Sequence, residues 1–179
     1  MLLGREYYQA ATTEPLLVFG PLALHVSASL LKRVLLLRPP PINLLTLTAY
    51  PTLVLLSPHI FLHRLAFSVD PSLELSSADV DYELPKFALQ KWPVRSMILY
   101  GGLVVAALFH AGEGFALLSA RYGGGPTKAF GRTRRRLVAG GVAVGVLAGV
   151  LALWREPAWL FGAREAAYDA LFAKSPFYH

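Results

Sequence analysis

The 179-residue sequence contains no cysteine, which excludes structural disulfides, thiolate metal sites and cysteine nucleophiles. Charge is scarce too. Asp, Glu, Lys and Arg make up 16% of the residues, where a soluble domain carries about 25%. The start, "MLLGREYYQ", lacks the cationic region, apolar stretch and small-residue cleavage site of a secretory signal. Glu6 and Glu14 sit among few cations, which argues against a matrix presequence, so any mitochondrial address is expected to be internal. No hydrolase triad, phosphate-binding glycine loop, HExxH pattern or paired-carboxylate site occurs. The expectation is a protein that is not an enzyme. Basic and aromatic residues do not interleave as in a nucleic-acid surface, so the net charge of +6 points to membrane orientation and headgroup contact instead.

Apolar residues are abundant, at 55%, and the mean hydropathy is +0.48. They fall in blocks of helical-span length rather than in alternation, and a bilayer core takes about 20 such residues per helix. The pattern predicts an all-α, polytopic transmembrane bundle of about four spans, in a single membrane domain over residues 1–179. A soluble protein with unusually long buried helices is the competing reading, and the low charge weighs against it. The spans are expected at about 16–37, 42–62, 94–118 and 137–154, followed by a surface-lying amphipathic helix over 157–174.

Pro39, Pro40 and Pro41 break the chain after the first span, because three imide nitrogens cannot donate. Pro51 and Pro58 predict kinks in the second. Residues 68–92 form the long polar connection, with Asp70, Glu74, Asp79, Asp81 and Glu83, and a short interfacial helix from about Ala78 to Trp92. The loops after spans one and three carry Lys32, Arg33, Arg38, Arg121, Lys128, Arg132, Arg134, Arg135 and Arg136 and no acidic residue. That alternation agrees with four spans and puts both ends of the chain on the less positive side.

Ionisable residues inside apolar spans invite a functional reading. His25 and Glu113 each lie eight residues from a cation, roughly 12 Å deep at the helical rise, and His110 is one turn from Glu113. Three readings follow. His25, His110 and Glu113 form a buried polar cluster that fixes helix packing; or His25 and His110 are axial ligands of a b-type haem, with Ala28, Ala111, Gly112 and Gly114 making room for it; or the cluster lines a proton or ion path. His59 and His63 share a helix face, but no third ligand is evident, so no metal site is expected. Gly141, Gly145 and Gly149 align on one face of span four, for packing within the chain or as a seam between two copies.

Five segments resemble a known family: "MLLGREYYQ", "EPLLVFGPLALHVSASLLKR", "LTLTAYPTLVLLSPHIFLHRL", "DYELPKFALQKWPVRSMILYGGLVVAALFHAGEGFALL" and "REP". Together they look like the fungal mitochondrial adaptor proteins that carry the MCP transmembrane domain. The resemblance implies a multi-pass protein of the mitochondrial outer membrane that supports lipid homeostasis. It would act by recruiting a bridge-like lipid-transfer protein at organelle contact sites. Members of that family usually carry a further hydrophobic segment before the "LLGREYY" region, and the upstream reading frame decides whether such a span precedes this one. The pattern is also similar to the haem-holding membrane anchors of succinate dehydrogenase, an analogy of fold alone.

Overall fold

The computed structural model describes residues 12–37, 39, 41–123 and 131–179. Arg38, Pro40, Lys128 and the "MLLGREYYQ" segment, to which expectations were attached, lie outside the described residues. The fold is all-α, with no strand among the described residues. Four helices are long and apolar enough to cross a membrane: α1 (Pro15–Leu36), α2 (Leu44–Val69), α4 (Pro93–Tyr122) and α5 (Arg132–Arg155). Two shorter helices, α3 (Glu83–Lys91) and α6 (Gly162–Phe172), complete the set. This is a multi-pass membrane protein. The chain divides into two compact units, Met1–Pro41 and Ile42–His179.

The first unit is α1. It opens with a π turn over Pro15–Phe19, closed by the Gly20 N–H donating to the Pro15 carbonyl. Pro21 explains the wider turn, since a proline ring clashes with the carbonyl four residues earlier. A Cβ at Gly20 would sit 3.0 Å from the Pro15 oxygen, so glycine is what lets the chain close there. Arg33 and the left-handed Leu37 end the helix.

The second unit starts at Asn43, whose Oδ1 accepts from the Thr46 N–H at 2.9 Å and caps α2. Pro51 and Pro58, where kinks are expected, both lie inside a helix that continues past them. Thr48, Thr52 and Ser57 hydroxyls donate back to carbonyls of the preceding turn at 2.7–2.8 Å, and the chain widens into a π segment over Phe61–Leu65. Helix α2 therefore runs to Val69 rather than ending near residue 62. Helix α4 packs antiparallel to both α2 and α5. Cβ positions at Gly102 and Gly114 face Leu55 and Leu45 of α2, while those at Gly101 and Gly112 face Leu147 and Ala139 of α5. The approach is closest at the glycine pair, 3.0 Å to Leu55 and 3.3 Å to Leu147, so the two flanking spans come in tightest there. The Arg132–Arg136 run opens α5 instead of belonging to the loop, because straight-chain arginines favour helix.

At one end of this bundle sits a compact cap, built from residues 70–92, residues 156–179 and the adjoining ends of α2 and α4. Leu84, Ala88, Tyr168, Leu171 and Phe172 have no exposed surface, and Leu62, Ala66, Phe87, Leu99 and Tyr178 join them in one core. Aromatic rings meet edge to face at its centre: Phe172 against Tyr178 at 4.7 Å and Trp92 against Tyr178 at 5.1 Å between centroids. The amphipathic helix expected over 157–174 forms as α6, shorter, with its apolar face turned into protein rather than left for lipid. Helix α3 begins later than Ala78 because Asp79 closes a turn onto Ser76 and Asp81 accepts the Glu83 N–H. Helix α3, too, is buried among protein side chains.

Candidate functional site

Two polar clusters lie between the spans of the second unit, one towards each end. Near the arginine-rich end, the Glu113 carboxylate is clamped by two cations of α5. Arg136 Nε donates to one oxygen at 2.8 Å and an Arg135 terminal nitrogen to the other at 3.1 Å. The pairing depends on Arg132–Arg136 being helical, which stacks Arg135 and Arg136 beside Glu113 on the antiparallel neighbour. One turn away, His110 Nδ1 bonds the Leu45 carbonyl in the first turn of α2 at 3.1 Å. A carbonyl only accepts, so the proton resides on Nδ1. His110 and Glu113 thus tie α4 to α2 and α5 respectively. His25 lies on α1 in the first unit.

The residues flanking His110 do not fit a porphyrin. Of the small residues that were to make room for it, Gly112 and Gly114 sit against neighbouring helices, where an added Cβ would meet Ala139 at 3.8 Å and Leu45 at 3.7 Å, while Ala28 and Ala111 are exposed. Among the described residues no group of three His, Asp or Glu side chains could hold a metal ion. Of the α5 glycines, Gly140 faces Phe109 of α4 at 3.9 Å, and the other three are placed differently. A Cβ at Gly141, Gly145 or Gly149 would meet nothing within 4 Å.

The second cluster lies where α2 and α4 enter the cap. His59 and His63, one turn apart, stack at 4.5 Å between ring centroids, and both rings stand edge-on to Tyr100. His63 Nε2 and the Tyr100 hydroxyl share a hydrogen bond of 3.0 Å, the donor being set by the tautomer. The Ser96 hydroxyl donates to the Ala88 carbonyl at 2.7 Å and lies 3.3 Å from the Tyr178 hydroxyl. His59 Nδ1 is buried without a hydrogen-bond partner among the described residues and lines a cavity of about 10 Å³, together with His63, Tyr100 and Tyr178. That volume is about that of one water molecule. The sequence signal for this cluster was present in the His59–His63 spacing, but its partners come from 37 residues away or more in the chain.

The cap is locked by ion pairs. Lys86, with its side chain 8% exposed, bridges Glu83 and Glu156 at 3.0 Å each. Asp81 pairs with Arg164 at 2.8 Å, Asp70 with Lys174 at 2.7 Å and Asp169 with Lys91 at 2.5 Å. The Tyr168 hydroxyl donates to the Asp79 carbonyl. Hydrogen bonds from Lys174 and Ser72 hold the Asp70 carboxyl down at about 2. The Ser76 hydroxyl and N–H lower that of Asp79. Glu156 and Glu83 raise the Lys86 ammonium, and burial pushes Tyr168 up to about 12. Asp70, Asp79, Asp81 and Glu83 of the 68–92 connection therefore serve the cap's own architecture. No protein-family model, curated protein or solved structure matches the chain.

Proposed function

We propose that this protein is a non-catalytic adaptor of the mitochondrial outer membrane that supports lipid homeostasis by recruiting a bridge-like lipid-transfer protein at organelle contact sites. The family stands on the sequence resemblance. What supports the reading in the fold is how the longest resembling segment is used. Residues 81–118 make α3 and most of α4, so one continuous stretch supplies both a span and the heart of the cap. A rigid protein surface fixed directly to the ends of spans suits a docking role, and its polar groups are engaged in structure rather than poised for reaction.

Fractionation of fungal cells expressing the tagged chain tests the address, and phospholipid analysis of mitochondria from cells lacking it tests the role. Residence in the outer mitochondrial membrane with an altered phospholipid profile is expected. Residence in another membrane, or an unchanged profile, contradicts the proposal. The purified protein in mild detergent is expected to be colourless. A Soret band lost in both His25→Ala and His110→Ala would replace the adaptor with a haem-binding anchor.

A further inference from the structure

Residues 156–161, between α5 and α6, have no regular secondary structure, yet they are held along their length. Gln90 Nε2 donates to the Glu156 carbonyl at 2.7 Å, and the Glu156 carboxylate reaches Lys86 at 3.0 Å. The Trp159 N–H donates to Glu83 Oε2 at 2.8 Å. The Phe161 carbonyl accepts from the N–H groups of Arg164 and Glu165 at 2.9 and 3.0 Å. Leu160 packs against the cap core. Its neighbours in sequence point the other way, with Trp159 77% and Phe161 86% exposed.

Two large aromatic rings are thus fixed outward by a strap whose backbone is pinned on both sides. The strap follows immediately on Arg155, the last residue of α5, and the final turn of that span exposes Leu151 and Trp154. Trp159 is four residues from Arg155 and Phe161 six, which reach at most about 14 and about 21 Å, so both rings stay near the end of a membrane span. Arg155 is exposed and makes no ion pair among the described residues. Indole and guanidinium groups are what the headgroup layer favours, the ring at the acyl boundary and the cation at the phosphates. Helix α6 has its apolar face inside the cap, so it leaves that role open.

We propose that Trp159 and Phe161 form a fixed aromatic wedge that inserts into the headgroup–acyl boundary of the leaflet on the cap side, with Arg155 against lipid phosphates. The wedge sets how the cap rests on the membrane. It depends on the spans and is independent of the adaptor role. Because the chain has no cysteine, single spin labels can be placed directly. Trp159→Cys and Phe161→Cys, with Glu165→Cys on the exposed first turn of α6 as reference, are labelled in the full chain and reconstituted in phosphatidylcholine vesicles. The ratio of collisions with oxygen to collisions with an aqueous nickel chelate is expected to be several-fold higher at 159 and 161 than at 165. Equal ratios at the three positions overturn the proposal. So do labels immobilised and shielded from both reagents, which would mean that protein covers the strap. Brominated lipids give a second readout that keeps Phe161 and changes Trp159 conservatively. Trp159→Phe is expected to remove a large part of the lipid-quenchable fluorescence, and an unchanged quenchable fraction counts against insertion.

Discussion

The cap and the spans below it are held together by different physics. In the cap, Phe172, Tyr168 and Leu84 are sealed from solvent and ringed by ion pairs, as in a small water-soluble domain. Along α5, by contrast, Ala143 is the one buried residue, and Val144 is 68% exposed. Burial from water drives the first arrangement. In lipid that drive disappears, because acyl chains are as apolar as the side chains, and association falls to close backbone approach and a few polar ties. Gly101, Gly102, the His110–Leu45 bond and the Glu113–Arg135–Arg136 clamp are those devices. A mutation of given size should cost far more in the cap than on a span.

The contrast is broken most strongly at Phe172. Phe172→Ala is expected to destabilise the protein by about 3–5 kcal/mol, as aromatic truncations in packed cores do. Val144→Ala on α5 should change stability by less than about 0.5 kcal/mol. Denaturant unfolding in the same detergent compares the two, and similar losses would mean that the cap is no core. Acid should separate the regions next. Asp70 and Asp79 have lowered folded-state values, so their contribution is complete above the ordinary carboxylate range and is lost as pH falls through the folded values. Protease sensitivity of residues 70–92 and 156–179 is expected to rise as pH drops from about 4 towards about 2. Unchanged resistance across that window would show that these pairs do not secure the cap.

Smaller effects sharpen the comparison. Tyr168→Phe removes the hydroxyl that donates to the Asp79 carbonyl while preserving the ring, and about 1 kcal/mol is expected to be lost. Glu113→Gln removes the charge from the clamp between α4 and α5. Polar ties between membrane helices average about 0.6 kcal/mol, so thermal unfolding should shift only slightly. A shift as large as that of Phe172→Ala would place the main stability of the molecule in the spans instead.

The same contrast explains what could be read in advance. Spans announce themselves through continuous hydropathy, and all four lie where the apolar blocks do. Their ends were less legible. The arginines from 132 to 136 look like loop and are helix, and that boundary decides the partners of Glu113. The cap core was hidden for a different reason. Phe87, Trp92 and Phe172 are scattered among charges in two segments some 80 residues apart, and nothing local joins them. The periodicity of α6 shows that one face is apolar without saying what covers it. Lipid was the natural cover for a helix following a span, and residues 84–92 supply it instead.

Side-specific cysteine labelling in sealed vesicles tests most directly whether these helices cross a bilayer with the cap outside it. With no native cysteine to remove, Val144→Cys, Glu165→Cys and Arg134→Cys can each be challenged with a membrane-impermeant maleimide. The account predicts that 144 stays unlabelled until detergent is added and that 165 and 134 react from opposite sides. Labelling of 144 in intact vesicles, or of 165 and 134 from the same side, would contradict it.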